Sequence, residues 1–383
     1  MRAQHSPHPL RAFPVYSAAF ISPNHFVLGG GGGASKTGIK NKLRLYSVDN
    51  ERSISMVNEL ELEVGEDVPM SMAADTETKT IVCGVNSALE KLEKGENQNC
   101  RAFVVKDNKL QLQKSQGTLD PSDLEDYQKV TVISPDRTKL AVAGSHTLSV
   151  LSFPSLTPIA GPITSEKEIY DVTFSPSSHH LVIATTQNLL VYILQEEGSN
   201  KDFSLELSQT IRIPESLSTV GDCTFRAARF HPQEKSLYTV VNAVSSRSRK
   251  AKSVSRQAYI CKWDTNSWVM DKNKKASDRG LTCFDISACG RFLALGSSDL
   301  SISILDSNTL APLISILKAH EFPPTTIKFN PTSTLLLTGS ADNSIRIVSI
   351  PLAIESSSWG VMFLVIVAFV ILLLAIALQK HFQ

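Results

Sequence analysis

Apolar and polar residues alternate with a period of two along most of the chain before Ile350, and Ser-Pro, Asn-Pro, Gly and Asp corners interrupt the alternation at intervals. These signals predict short β-strands joined by tight turns, without a sustained helical period. The clearest unit runs from Thr325 to Ile350. An apolar strand ends in Asn330-Pro331, a second reaches Gly339, a turn holds Asp342 and a third strand follows. The same order recurs from Lys129, Ile169, Phe225 and Leu281, and more faintly from Val15 and Pro69, which makes seven copies. A single three- or four-stranded sheet cannot bury both faces, and stacking the units radially also protects their strand edges. The expected fold is all-β, a seven-bladed propeller. Its last blade lacks a fourth strand, which the residues before Val15 are expected to supply, although Pro7 and Pro9 sit awkwardly in a strand.

The alternation ends after Ile350. From Val361 to Leu378 there are eighteen consecutive apolar residues without a charge, or twenty with Trp359 and Gly360. At about 1.5 Å per residue such a helix is about 27 to 30 Å long, which suits a thin bilayer such as that of the endoplasmic reticulum. The expected organisation is a cytosolic propeller over 1–352, a linker over 353–358, a transmembrane helix over 359–378 and a short lumenal tail over 379–383. The N-terminal MRAQHSPHPLRAFP has no apolar run of the signal-peptide kind, so a tail anchor is expected. Glu355 before the span and Lys380 after it favour the reverse orientation, and the missing signal peptide outweighs them.

Composition narrows the function classes. Lys plus Arg number 38 against 37 Asp plus Glu, a balance of +1 that argues against nucleic-acid binding through bulk charge. The six Cys show no CxxC and no Cys/His pair at zinc-ligand spacing, which suits a reducing compartment. The basic stretch Ser245–Arg256 and the acidic stretch Asp120–Gln128 read as solvated connections between strands.

Between the second and third strands of the first unit, where two to five turn residues would suffice, the chain reads LGGGGGASKTGIKNKLRLYSV from Leu28. Five consecutive glycines, Gly29, Gly30, Gly31, Gly32 and Gly33, lose entropy on ordering and add nothing to a core, so a fixed structure needs positive dihedrals, close backbone approach or a ligand. Three readings compete. A phosphate-binding P-loop counted from Gly30 has Lys36 and Thr37 in place, but Ser35 stands at the second glycine and a strand pattern follows instead of a helix. A hairpin tip without a role is the second. The third is a loop whose backbone carbonyls wrap a monovalent cation and present Ile39 and Asn41 to a partner, since the loop has no carboxylate for Ca²⁺ or Mg²⁺.

The units resemble WD repeats. The diagnostic dipeptide occurs at Trp263-Asp264, and the family's structural hydrogen-bond network implies roles for His320, Thr338 or Ser340, and Asp342 in fixing a blade. The glycine run followed by Gly38-Ile39-Lys40-Asn41-Lys42, in the first blade of a propeller with a C-terminal membrane segment, resembles the endoplasmic-reticulum guanine-nucleotide exchange factors for the Sar-family small GTPase. Members of that family start COPII coat assembly in ER-to-Golgi transport. The resemblance implies a potassium-binding loop that inserts against the GTPase. Gly29 to Gly33 would form its bend, Gly30 to Gly33 and Asn41 would hold K⁺, Gly38 and Asn41 would shape the tip, and Ile39 would face the partner. It also implies an active Asp-x-Pro turn at Asp67 and Pro69, and it places Lys40 where a proline is common. Exchange without bond chemistry is the implied function. The alternatives are a tail-anchored recruitment scaffold and, behind it, an ATP-dependent enzyme resting on the near-miss P-loop.

Overall fold

The computed structural model describes residues 4–34, 38–197, 202–233, 236–245, 256–351 and 366–369. The chain divides into two compact units, Met1–Ile350 and Pro351–Gln383. The first consists of seven four-stranded antiparallel sheets, the blades of the expected propeller. Blade 1 is made of Val15–Ser22, His25–Gly30, Lys42–Val48 and Ile54–Glu61, and blade 2 of Ser71–Asp75, Thr80–Gly84, Cys100–Lys106 and Lys109–Gln116. The remaining blades begin with the strands Val130–Ile133, Ile169–Phe174, Asp222–Phe230, Leu281–Ile286 and Pro324–Phe329.

Packing between blades explains which strands alternate and which do not. Successive side chains on a strand point to opposite faces. In His25–Gly30, Phe26 and Leu28 pack with Leu337, Ile345 and Ile347 of the last blade, while Val27 packs with Ile81, Cys83 and Phe103 of blade 2. Both faces of an inner strand are therefore core, which is why it reads as a nearly continuous apolar run. Outer strands have one edge in solvent: Met56 and Leu112, on the fourth strands of blades 1 and 2, are 58% and 54% exposed.

The last blade takes its fourth strand from the N-terminus, as expected. His5–Pro9 pairs antiparallel with Ser344–Ser349, Pro7 opposite Arg346 and Pro9 opposite Ser344. The prolines fit because of parity. Ser349 N–H donates to Gln4 O at 2.9 Å and Leu10 N–H donates to Asn343 O at 2.7 Å, so even-numbered residues direct their backbone groups inward. Pro7 and Pro9 are odd, and the N–H that each lacks would have faced away from the sheet.

The WD-type network is present and selects between the two candidate hydroxyls. His320 Nε2 lies 2.9 Å from Thr338 Oγ1, whereas Ser340 donates instead to the Phe322 carbonyl at 3.0 Å. On its other side His320 Nδ1 meets Ser344 Oγ at 2.9 Å and the Asp342 carboxylate at 3.3 Å. Trp263 Nε1 donates to Thr239 Oγ1 at 2.9 Å. Two one-turn helices, Leu89–Leu92 and Glu215–Ser218, lie in connections and are too short to leave a period in the sequence.

In the second unit, Ile366, Val367, Ala368 and Phe369 are helical and exposed. The rest of the expected span over 359–378, with the linker 353–358 and the tail 379–383, lies outside the described residues. Among the described residues no helix is long and apolar enough to cross a membrane.

Burial pushes the His320 imidazole below its usual value of 6.5, and the neighbouring Asp342 offsets only part of this. The folded state therefore binds fewer protons than the unfolded state, so this stabilisation is complete above about pH 6.5 and is lost as pH falls toward the lowered value. The lead of the wild-type melting temperature over that of His320→Gln is expected to shrink between pH 7.5 and pH 5.5. A lead that grows on acidification would contradict the neutral, buried imidazole.

Candidate functional site

The glycine run serves two different purposes. Gly29 and Gly30 are strand residues, not part of the bend expected from Gly29 to Gly33. A side chain on Gly29 would come within 2.7 Å of Pro69 Cβ, and one on Gly30 would come within 2.8 Å of the Phe13 ring. Both positions are glycine because neighbours fill the space. The bend starts at Gly31, whose N–H donates to Pro14 O at 3.0 Å. Gly31 and Gly33 have φ values of 145° and 72°, and Gly38 has 75°, all in the region that favours glycine. Residues 35–37 lie outside the description, so Lys36 and Thr37 are not placed. The next element is the strand Lys42–Val48, which removes the helix N-terminus that a P-loop needs.

Asn41 holds the bend closed. Its Oδ1 accepts the Gly33 N–H at 2.9 Å, and its Nδ2 donates to Gly33 O at 3.0 Å and to Glu66 O at 2.7 Å. Its own carbonyl accepts Leu62 N–H at 2.9 Å. Two carbonyls on one side and an N–H on the other fix the orientation of the amide. Asn41 is only 9% exposed, so these bonds form away from competing water.

The second half of the site is the connection from blade 1 to blade 2, where the expected Asp67 and Pro69 lie. It is anchored from below by Glu66, whose carboxylate accepts Glu63 N–H at 3.0 Å and pairs with Arg101 at 2.6 Å. Both side chains of this pair are buried, and removing one partner of a buried pair costs about 3 to 5 kcal/mol. Asp67 N–H donates to Asn86 O at 3.0 Å, and Asp67 Oδ1 accepts Val68 N–H at 2.7 Å. Pro69 is buried, and its carbonyl accepts the Ser17 hydroxyl at 2.6 Å. Glycine loop and Asp-x-Pro turn therefore form one body across the boundary of the two blades. Glu66, Arg101 and Ser17, which complete it, carry no signal in the sequence.

Ile39 is half-buried and Gly38 is exposed, with open space where a side chain on Gly38 would project. Lys40 is exposed and pairs with Glu61 at 2.6 Å. It heads a charged ladder between the third and fourth strands, in which Lys42 pairs with Glu59 and Arg44 meets Glu59 at 2.7 Å. The Arg44 guanidinium also stacks 4.0 Å from the Phe13 ring centroid.

Asp67 has no cationic partner among the described residues, and its Oδ1 would lie 3.4 Å from a side chain built on Gly33. Among the described residues no group of three or more His, Cys, Asp or Glu could hold a metal ion. Asn41, whose amide is engaged as described, contributes by shaping the loop.

Comparison with known proteins bears on the fold and on what the relatives are named for. Residues 311–349 match the family described as WD domain, G-beta repeat. The chain is 24% identical over 345 residues to the guanine nucleotide-exchange factor SEC12 of Candida glabrata, covering 88% of this chain and 71% of that protein. It is 24% identical over 360 residues to the guanine nucleotide-exchange factor SEC12 of Rattus norvegicus, covering 83% and 82%. The WD40 beta propeller domain of Doa1 superposes with a TM-score of 0.61 at 11% identity, over 92% of this chain and 98% of that one, which bears on the fold alone. The chain is thus similar along most of its length to proteins named guanine nucleotide-exchange factor SEC12, and residues 311–349 match a WD repeat.

Proposed function

We propose that the protein is a guanine-nucleotide exchange factor acting on a small GTPase of the Sar family at the endoplasmic-reticulum membrane, where loading the partner with GTP starts COPII vesicle formation. The observation that carries the reading is the clamp of Asn41 on Gly33 and Glu66, which fixes a glycine-rich tip on a rigid support beside Ile39. The relatives' names as exchange factors support the activity.

Such a protein makes and breaks no bond in its partner. It binds the nucleotide-free GTPase more tightly than the loaded one, and that difference lowers the barrier to release. A thousandfold acceleration needs about 4 kcal/mol of preference. Ile39 entering an apolar site on the partner supplies part of it, at roughly 1.5 to 3 kcal/mol for full burial. Hydrogen bonds from loop backbone groups add about 1 kcal/mol each. Asp67 and the glycine carbonyls would hold a potassium ion, which supplies positive charge that orders the tip. The apolar segment over 359–378 would confine exchange to one membrane, so that the activated partner is deposited there.

The exposed apolar residues favour the loop-bearing rim as the partner's side. Val64, Leu124, Leu317 and Phe322 lie on connections between blades, and Leu89 on the loop of blade 2 equivalent to the glycine loop. By the meander of each blade these all emerge on the rim of the glycine loop, whereas Val269, in a third-to-fourth strand turn, is on the opposite rim.

Ile39→Ala is expected to keep the wild-type melting temperature while slowing exchange at least tenfold, about 1.4 kcal/mol, in stopped-flow release of fluorescent GDP from a Sar-type GTPase. Asn41→Ala is expected to slow exchange at least as much and also to lower stability by about 1 to 3 kcal/mol, because it strands buried partners. Release at wild-type rates in both variants would leave a recruitment scaffold as the function. At equal ionic strength, exchange is expected to run faster in K⁺ than in Na⁺ or Li⁺; equal rates would remove the cation from the account.

A further inference from the structure

The innermost strands of the blades enclose a central channel of about 500 Å³. Four cations line it, Lys129, Arg226, Arg229 and Lys328, against the single lining carboxylate of Asp171. Two of the four are compensated. Lys129 pairs with Glu168, and Arg229 pairs with Asp171 and lies 3.9 Å from Asp285. Arg226 and Lys328 have no acidic partner among the described residues. Arg226 instead lies 5.2 Å from the Tyr170 ring centroid, a cation–π contact that leaves its charge without a counter-ion. Cys283 also lines the channel, but burial pushes its thiol up to about 12 against the pull of Arg226 and Lys328, so it supplies no negative charge near neutrality.

The two uncompensated cations stand at different depths. Arg226 precedes Arg229 by three positions on the strand Asp222–Phe230, and because Arg226 is the extra residue of a bulge between Phe225 and Ala227 the advance is somewhat less than the about 10 Å of a regular strand. Arg229 approaches Asp285, and Asp285 Oδ2 accepts the Phe329 N–H at 2.9 Å, which sets Lys328 close to the level of Arg229. A compact oligophosphate concentrates its charge at one height. An extended peptide advances by the same rise as the strands around it, so two carboxylates two to three residues apart match the stagger. Ala18, Ala73 and Val132 line the wall as well and suit the uncharged residues between.

We propose that the central channel is a binding site for an extended acidic peptide segment of a protein partner, with one carboxylate on Arg226 and a second, deeper one on Lys328. The arginine fork and the lysine point charge are the ordinary receptors for carboxylates. Acidic recognition here does not depend on nucleotide exchange, and variants at these two positions leave the glycine loop untouched.

The test uses the full chain in detergent micelles and a fluorescein-labelled peptide, Gly-Asp-Gly-Gly-Asp-Gly, read by fluorescence anisotropy. Saturable binding is expected, weakening as KCl rises, with a matching Lys-containing peptide failing to bind. The double variant Arg226→Gln/Lys328→Gln is expected to bind at least tenfold more weakly at an unchanged melting temperature, and Arg226→Lys with native Lys328 is expected to retain most of the binding. Absence of saturable binding, or equal binding by the double variant, would overturn the proposal. Displacement of the peptide by pyrophosphate at comparable concentration would overturn it too, by assigning the channel to simple anions.

Discussion

Closure of the ring is the constraint on which the rest of this structure depends. Each blade buries both faces of its inner strands against its neighbours, so no blade is stable alone, and one open seam would expose the core on either side of it. The seam lies in the last blade and is closed by His5–Pro9 against Ser344–Ser349. It is held further by Arg52, which donates to Ser6 at 3.2 Å and to Ser349 at 3.0 Å, joining the N-terminal strand, the last repeat and a turn of blade 1. Blade 1 packs directly on that seam through Phe26 and Leu28, and the glycine loop leaves blade 1 two residues beyond Leu28. The geometry of the candidate site is thus inherited from the closure.

The site itself is a joint between two blades. Ser17 and Gly29 belong to blade 1, Arg101 to blade 2, and Glu66, Asp67 and Pro69 to the connection between them. Gly29 is hydrogen-sized because Pro69 occupies the space a side chain would need, and Pro69 is held there by the Ser17 hydroxyl. A change at Pro69 would therefore be felt in the glycine strand, and one at Arg101 would be felt through Glu66 at Asn41. The described part of the loop and the Asp-x-Pro turn are thus tied to one another through Asn41 and the Glu66 carbonyl.

What the sequence disclosed was what repeats or what is local. Alternation, corners and spacing gave the seven blades, and the missing strand of the last unit pointed to the N-terminus. Parity excuses Pro7 and Pro9, but the parity depends on a register with Arg346 that no local pattern contains. Thr338 rather than Ser340 meets His320 for the same kind of reason: the two differ by one full strand period, and only the turn of the chain after His320 decides between them. The glycine run was visible as an oddity, yet its division into two packed glycines and a bend rests on Phe13 and Pro69, which the fold brings in from outside the run. Glu66 and Arg101 look like any surface charges until blade 2 buries them. Arg226 and Lys328 sit on different blades, and nothing in either repeat marks them as neighbours in one channel.

A rigid disc is a physically apt support for a glycine-rich tip. Gly-rich segments lose more entropy on ordering than any others, and a tip that ordered only on contact would spend its binding energy on its own immobilisation. Here part of that ordering is done in advance. Asn41 ties the bend at Gly33, Glu66 ties Asn41 to the inter-blade turn, and Arg101 ties Glu66 to the body of blade 2. The constraint ends on a buried pair that is costly to break. The glycines that remain, Gly31, Gly33 and Gly38, then serve curvature more than freedom, since their positive φ values are what a side chain would resist. A tip so prepared can direct most of an interaction such as that of Ile39 into its preference for one state of a partner over another, which is the quantity on which exchange depends.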